Sequence, residues 1–189
     1  RTLVANGLVV NATGAVEADV LVEDGRVAAL LERGAADRLG IDAPILDASG
    51  CYVIPGGVDA HVHLQMPQGP FVSSDSFETG TIAAAHGGTT TIIDFAERVA
   101  GGDVRASFDA RMAEAEGSCA IDFAFHQVLG SADAGAIAAV RRLADDEGVT
   151  SIKLFMAYPG LFSDDGQLLQ ALQLETVAIW WDGSPSLMG

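Results

Sequence analysis

The sequence predicts an α/β chain in which a small β module precedes a parallel sheet wound from repeated strand–helix units. Three observations lead there. Short apolar strands crowd the residues up to Ile54. Apolar, β-rich runs then recur at Gly57–His63, Thr89–Phe95, Ile121–Val128 and Ser151–Ala157, roughly thirty residues apart, which is the spacing of successive βαβ units. Helical patterns bounded by capping residues fill the gaps between them.

In chain order, residues 1–54 read as a β-sandwich module. Leu3-Val4, Leu8-Val9-Val10, Asp19–Glu23 and Arg26–Leu30 are short strands, the last two joined by Asp24-Gly25, a pair favoured in two-residue hairpin turns. Ile45–Asp47 and Cys51–Ile54 continue the pattern across a Ser49-Gly50 turn. From residue 55 the rhythm changes. A first helix is expected from Ser76 to His86, capped by Ser74 or Asp75 and stopped by Gly87-Gly88. A second spans Asp103–Glu116, a third Ala132–Glu147, and a fourth starts near Ser163 or Asp164 with Leu168, Leu169 and Leu172 on one face.

Such repeats imply right-handed crossovers and either an open doubly wound sheet or a barrel. Gly56-Gly57 and Gly87-Gly88 precede their strands, so no glycine-rich loop follows the first strand and a nucleotide site loses support. In a (β/α)8 barrel the chemistry sits at the carboxyl ends of the strands. His61, His63, Lys153 and Tyr158 all fall at or just past such ends, which selects a partial (β/α)8 TIM barrel of about four βα units over residues 55–172.

Composition narrows the function classes. Ten Lys+Arg against 26 Asp+Glu give a net charge of −16, which argues against a nucleic-acid partner. No apolar run reaches membrane-spanning length and the first residues lack a signal-peptide pattern, so a soluble, cytoplasmic protein without a membrane partner is expected. Cys51 and Cys119 are far apart among apolar residues, which predicts buried free thiols in a reducing compartment.

His61 and His63 would aim their imidazoles to one side of a strand end. That is a metal-ligand geometry, and equally the geometry of a half-buried polar strand end. Lys153 is the only lysine in the chain; every other basic residue is arginine. A position that keeps an amine in an arginine-biased sequence points to chemistry that a guanidinium cannot perform, against chance survival as the alternative. Tyr158 reads either as a substrate-facing phenol or as a rim aromatic. His126 reads as a satisfied strand histidine, His86 as a helix-end cation, and Asp94 and Asp122 as structural.

Three segments together resemble the dihydropyrimidinase/D-hydantoinase family of the amidohydrolase superfamily: Pro55-Gly56-Gly57-Val58-Asp59-Ala60-His61-Val62-His63-Leu64-Gln65-Met66-Pro67, Gly87–Phe95 and Lys153–Tyr158. The likeness runs from about Leu3 to Leu172. It implies a β-sandwich joined to a (β/α)8 barrel with a two-zinc site, in a metal-dependent enzyme that opens the ring amide of 5,6-dihydropyrimidines or hydantoins. By the resemblance, His61 and His63 match ligands of the first zinc, and Lys153 the lysine whose carbamate bridges both metals. Tyr158 matches the tyrosine that polarises the substrate carbonyl. A homo-oligomer, tetrameric in the family, is implied as well, and Gln65-Met66-Pro67 leans towards dihydropyrimidines.

Family members are more than twice this length and draw two further histidines and an aspartate from later barrel strands. Residues 173–189 depart from the pattern as a divergent tail, which suggests an incomplete or frameshifted product with impaired activity. Allantoinase or dihydroorotase chemistry is the near alternative. A non-catalytic dihydropyrimidinase-like scaffold and a nonfunctional fragment are the others, and retention of His61, His63 and Lys153 argues against the scaffold.

Overall fold

The structure is a computed structural model that describes residues 1–97, 102–158, 161–173 and, as backbone only, 178–182. The chain divides into two compact units, Arg1–Gly56 and Gly57–Gly189.

The first unit holds β1 (Thr2–Ala5), β2 (Leu8–Asn11), β3 (Gly14–Glu17), β4 (Asp19–Glu23), β5 (Arg26–Leu31), a short helix α1 (Ala35–Arg38), β6 (Ile45–Asp47) and β7 (Tyr52–Val53). They form one sheet in the order β5-β4-β1-β6 and another in the order β3-β2-β7. Asp24 and Gly25, with φ of 50° and 72°, supply the left-handed pair that the β4–β5 hairpin requires. The two sheets share an apolar layer: Val9 and Val53 of the smaller meet Val4, Val20 and Val22 of the larger. Asp19 is buried there, its carboxylate accepting from the Asn6 and Gly34 amides at 2.9 and 3.0 Å. β3 and α1 went unpredicted; all four residues of β3 are exposed, so no buried face marks it in the sequence. Both cysteines are free, but Cys51 is exposed and Cys119 only partly covered. The expected burial of Cys51 fails because it stands outside the two-residue strand β7, of which only Val53 meets the apolar layer.

The second unit contains β8 (Gly57–Asp59), a hairpin of β9 (Pro67–Gln68) and β10 (Phe71–Val72), α2 (Phe77–His86), β11 (Thr89–Ala96), α3 (Val104–Ala115), β12 (Asp122–Leu129), α4 (Ala134–Glu147), β13 (Ser151–Phe155), α5 (Asp165–Leu172) and β14 (Ala178–Asp182). β8, β11, β12, β13 and β14 form one parallel sheet in that order. Each strand lies beside its predecessor in the chain, with a helix crossing between. That is barrel winding; a doubly wound sheet would reverse its order partway.

Side-chain oxygens cap the four long helices. Ser76 and Asp164 form capping boxes with Thr79 and Gln167, while Asp103 and Asp133 accept from the amides of Ala106 and Ala136. The cap of α2 is therefore Ser76 and not the expected Ser74 or Asp75, since its hydroxyl accepts from the Thr79 amide at 3.1 Å. Strand alternation sorts the sheet into two faces. Ile92, Phe125, Leu129, Ile152 and Leu154 pack under the helices with Phe108, Val140 and Leu143. The intervening residues, Phe95, His126 and Lys153, take the opposite face.

Three expectations need correcting. The first barrel strand ends at Asp59 instead of His63, and β13 ends at Phe155 instead of Ala157. The tail contributes a fifth strand, β14, paired with β13 from Ser151↔Ala178 to Phe155↔Asp182, so the sheet is wider than four strands. The rest of the tail beyond Gln173 lies outside the described residues, as does Pro159-Gly160.

Candidate functional site

The site assembles around Phe95, a ring only 1% exposed on β11. His63 stacks on it at 4.7 Å between centroids with 23° between planes, and His61 meets it edge-on, also at 4.7 Å. The two imidazoles lie 5.1 Å apart. From β13 the Lys153 Nζ stands 4.2 Å from the Phe95 centroid and 5.2 Å from that of Phe155. Both histidines and the lysine thus gather on one face, the histidines in the loop past the carboxyl end of β8 and Lys153 from the middle of β13. The shared strand end expected of the histidines is instead a loop. The Val62 amide reaches the Ile93 carbonyl at 3.4 Å, and the His61 amide folds back onto Asp59 at 3.1 Å.

His126 lies beneath, its ring 4.9 Å from Phe95. Its Nε2 is 2.9 Å from the Ala60 carbonyl, which can only accept, so Nε2 carries the proton and Nδ1 accepts from the Ser151 hydroxyl. Burial lowers the His126 pKa and keeps this neutral tautomer. The ring therefore ties the residue before His61 to the strand carrying Lys153. Tyr158 stands at the rim, 37% exposed, edge-on to Phe155 at 5.1 Å. It joins the cluster through Phe155. His86 lies apart, in the last turn of α2, and Asp122 is exposed at the start of β12.

Burial also lowers the pKa of His63, with the Lys153 charge adding to the shift, so its imidazole is poised as a neutral donor. Its Nδ1 is buried without a hydrogen-bond partner. A buried polar atom left unsatisfied is costly unless something outside the chain completes it. Two imidazoles and a lysine side chain are a borderline-metal donor set, and this orphaned nitrogen fits a bound zinc centre that orders the ring. Among the described residues, no three His, Cys, Asp or Glu side chains cluster as a metal site.

Asp94 was read from the sequence as structural, but its partner escaped that reading. Arg111 of α3 is buried and forms an ion pair with Asp94 at 3.0 Å. Its cationic carbon lies 4.5 Å from the Phe77 ring centroid, and its other terminal nitrogen meets Glu114 at 2.6 Å. Phe95 and Arg111 also help line a cavity of about 370 Å³ with Met66 and Glu97, and burial pushes the Glu97 carboxyl up. An aspartate inside an apolar strand was the available signal for this pair, because a buried carboxylate needs a partner.

Residues 52–168 match the model of the amidohydrolase family. The D-hydantoinase of Streptomyces coelicolor is 52% identical over 175 residues, covering 92% of this chain and 37% of the relative. That of Geobacillus stearothermophilus is 43% identical over 171 residues, covering 90% and 36%. Among solved structures, a D-hydantoinase from Bacillus sp. AR9 superposes with a TM-score of 0.84 at 40% identity, covering 91% of this chain and 37% of that one. The dihydropyrimidinase of Brevibacillus agri NCHU1002 gives 0.84 at 39%, covering 90% and 36%. The chain spans little more than a third of the length of these relatives. No helix among the described residues is long and apolar enough to cross a membrane. With the model matched across most of the parallel-sheet unit and the gathered imidazoles inside the matched span, the chain belongs to the amidohydrolase family, whose members are generally metal-dependent hydrolases.

Proposed function

We propose that this chain carries the first part of the metal centre of a cyclic-amide hydrolase of the D-hydantoinase/dihydropyrimidinase type, acting on hydantoins or 5,6-dihydropyrimidines. The observation that carries the reading is the gathering of His61, His63 and Lys153 around Phe95. The likeness to proteins named D-hydantoinase and dihydropyrimidinase supports the substrate class.

In this reading His61 and His63 would hold a zinc through their imidazole nitrogens. Lys153 would contribute as the carbamate that its amine forms with carbon dioxide, a nitrogen–carbon bond made as one carbon–oxygen π bond opens and a proton leaves to solvent, and that anion would supply oxygen donors to the metal centre. A zinc pair, when bound, supplies Lewis-acid polarisation and makes water nucleophilic at neutral pH. Phe95 keeps the floor of the site dry. His126 holds its proton on Nε2 against Ala60 and so stays out of the exchange. Tyr158, at the rim, donates its phenolic hydrogen to the substrate carbonyl as negative charge develops on that oxygen.

A β-sandwich from the first unit, a complete (β/α)8 barrel, homo-oligomeric assembly and a cytoplasmic location belong to the same proposal. Lys153 and the two histidines supply half of the expected ligands, so hydrolysis by the 189-residue chain alone is expected to be weak or absent. Metal analysis combined with mass spectrometry tests the reading. Bound zinc together with a carbon-dioxide adduct on Lys153 is the expected result. A chain that takes up neither after incubation with zinc and bicarbonate refutes it.

A further inference from the structure

Leu64 follows His63 directly, and both of its backbone polar groups are held by one buried ion pair. The Leu64 amide donates to Asp94 Oδ2 at 2.8 Å, and the Leu64 carbonyl accepts from the same Arg111 nitrogen that meets Asp94 Oδ1 at 3.0 Å. That amide belongs to the peptide plane joining His63 to Leu64, so the Asp94 carboxylate fixes the backbone torsion from which the His63 imidazole departs.

Three further contacts lock the same turn. The Leu64 side chain is buried so close to α2 that a Cβ added at Gly80 would lie 2.5 Å from Leu64 Cδ2. Gln65 takes a left-handed φ of 48°, unusual for a residue with a Cβ. Its amide donates to the Asp75 carbonyl at 2.9 Å, while its side-chain oxygen accepts from the Phe77 amide at 2.9 Å. Asp94 sits on the helix-facing side of β11 and Phe95 on the other. One strand thereby carries both the brace for the His63 loop and the ring against which His63 stacks.

We infer that the Asp94–Arg111 pair is the positioning element of the candidate metal centre, setting the His63 ring so that it shares a cation with His61 and Lys153. The inference rests on the metal-site reading above. It differs from a purely structural role in what it predicts for variants of equal stability.

Three variants of the full 189-residue chain test it: Asp94→Asn, Arg111→Met and, as a control for lost stability alone, Val140→Ala, which opens a buried site in α4. Two quantities are read in each: zinc affinity by chelator competition, and the NMR ring resonances of His63 in the metal-free chain. Asp94→Asn and Arg111→Met are expected to weaken zinc binding on the order of 10- to 100-fold and to shift the His63 resonances, with Arg111→Lys recovering part of both. Val140→Ala is expected to lower the unfolding temperature while leaving both readouts near wild type. The inference is overturned if the Asp94 and Arg111 variants match Val140→Ala in His63 resonances and zinc affinity. If wild type and a His61→Asn/His63→Asn double variant bind zinc alike, it is the metal reading that fails. The metal-free resonances then decide the positioning role by themselves.

Discussion

His61 and His63 follow a strand of three residues at one edge of the sheet, whereas Lys153 sits in a strand paired on both sides, opposite Val128 and Trp180. Each segment carries candidate ligands, and each is fixed by a different means. Two ladders set the position of Lys153. The histidine loop has almost no ladder beyond Asp59 and depends on side chains instead: Asp94 and Arg111 on Leu64, Gln65 on the start of α2, and His126 on the Ala60 carbonyl. Side-chain bracing concentrates sensitivity in a few buried polar residues. Ladder bracing spreads it along the backbone.

That contrast is broken most directly at the brace. Asp94→Ala leaves the Arg111 guanidinium without its buried carboxylate, with only the partly exposed Glu114 still paired, and is expected to destabilise the chain by about 3 kcal/mol, measured by urea unfolding. A loss near zero would mean that the histidine loop holds itself. Lys153→Met should behave in the opposite way. It replaces a buried amine by an apolar side chain of similar length, so stability is expected to be unchanged or slightly raised while zinc uptake falls. A large loss of stability would show that the amine, and not the ladder, secures β13.

The pH response sharpens the comparison further. Burial lowers the pKa of both His63 and His126 in the fold. The unfolded chain therefore binds more protons than the folded chain in mildly acid solution, and stability is lost as pH falls through the ordinary histidine value near 6.5. Urea midpoints of the metal-free chain at neutral and mildly acid pH should show the loss, and a His63→Gln/His126→Gln variant should flatten it. The smallest effect is expected at the exposed rim, where Tyr158→Phe should change stability by no more than about 0.5 kcal/mol. A thermal shift beyond that range would give the hydroxyl a structural bond of its own.

Much of this contrast could be read in the sequence, though unevenly. Capping residues and helix-stopping glycines marked α2 to α5 to within a few residues, and Asp24-Gly25 marked its hairpin. The thirty-residue rhythm of apolar runs announced the parallel sheet, because buried parallel strands are apolar on both faces. The single lysine drew attention to Lys153. The convergence on Phe95 was not readable, since alternation assigns a side chain to a face without saying which rings meet there. Arg111 was hidden for a related reason: one arginine among nine on an acidic chain carries no mark of burial. The short β8 misled in the other direction. Its apolar run continues to Val62, yet pairing with β11 is registered only as far as Asp59, so the histidines needed a brace that no pattern of hydrophobic residues predicts. β14 lies in the stretch where the sequence departs from the family pattern, yet Ala178–Trp181 is an apolar run of strand length.

The central claim is that the two imidazoles of the loop after β8 and the Lys153 side chain of β13, as its carbamate, share one metal centre. X-ray absorption at the zinc edge of the zinc-loaded chain tests it most directly. The expected spectrum shows scattering from two imidazole rings and from light oxygen or nitrogen ligands, with the imidazole features lost in the His61→Asn/His63→Asn variant. A spectrum dominated by sulfur from the exposed Cys51, or one that the double variant leaves unchanged, would contradict the account.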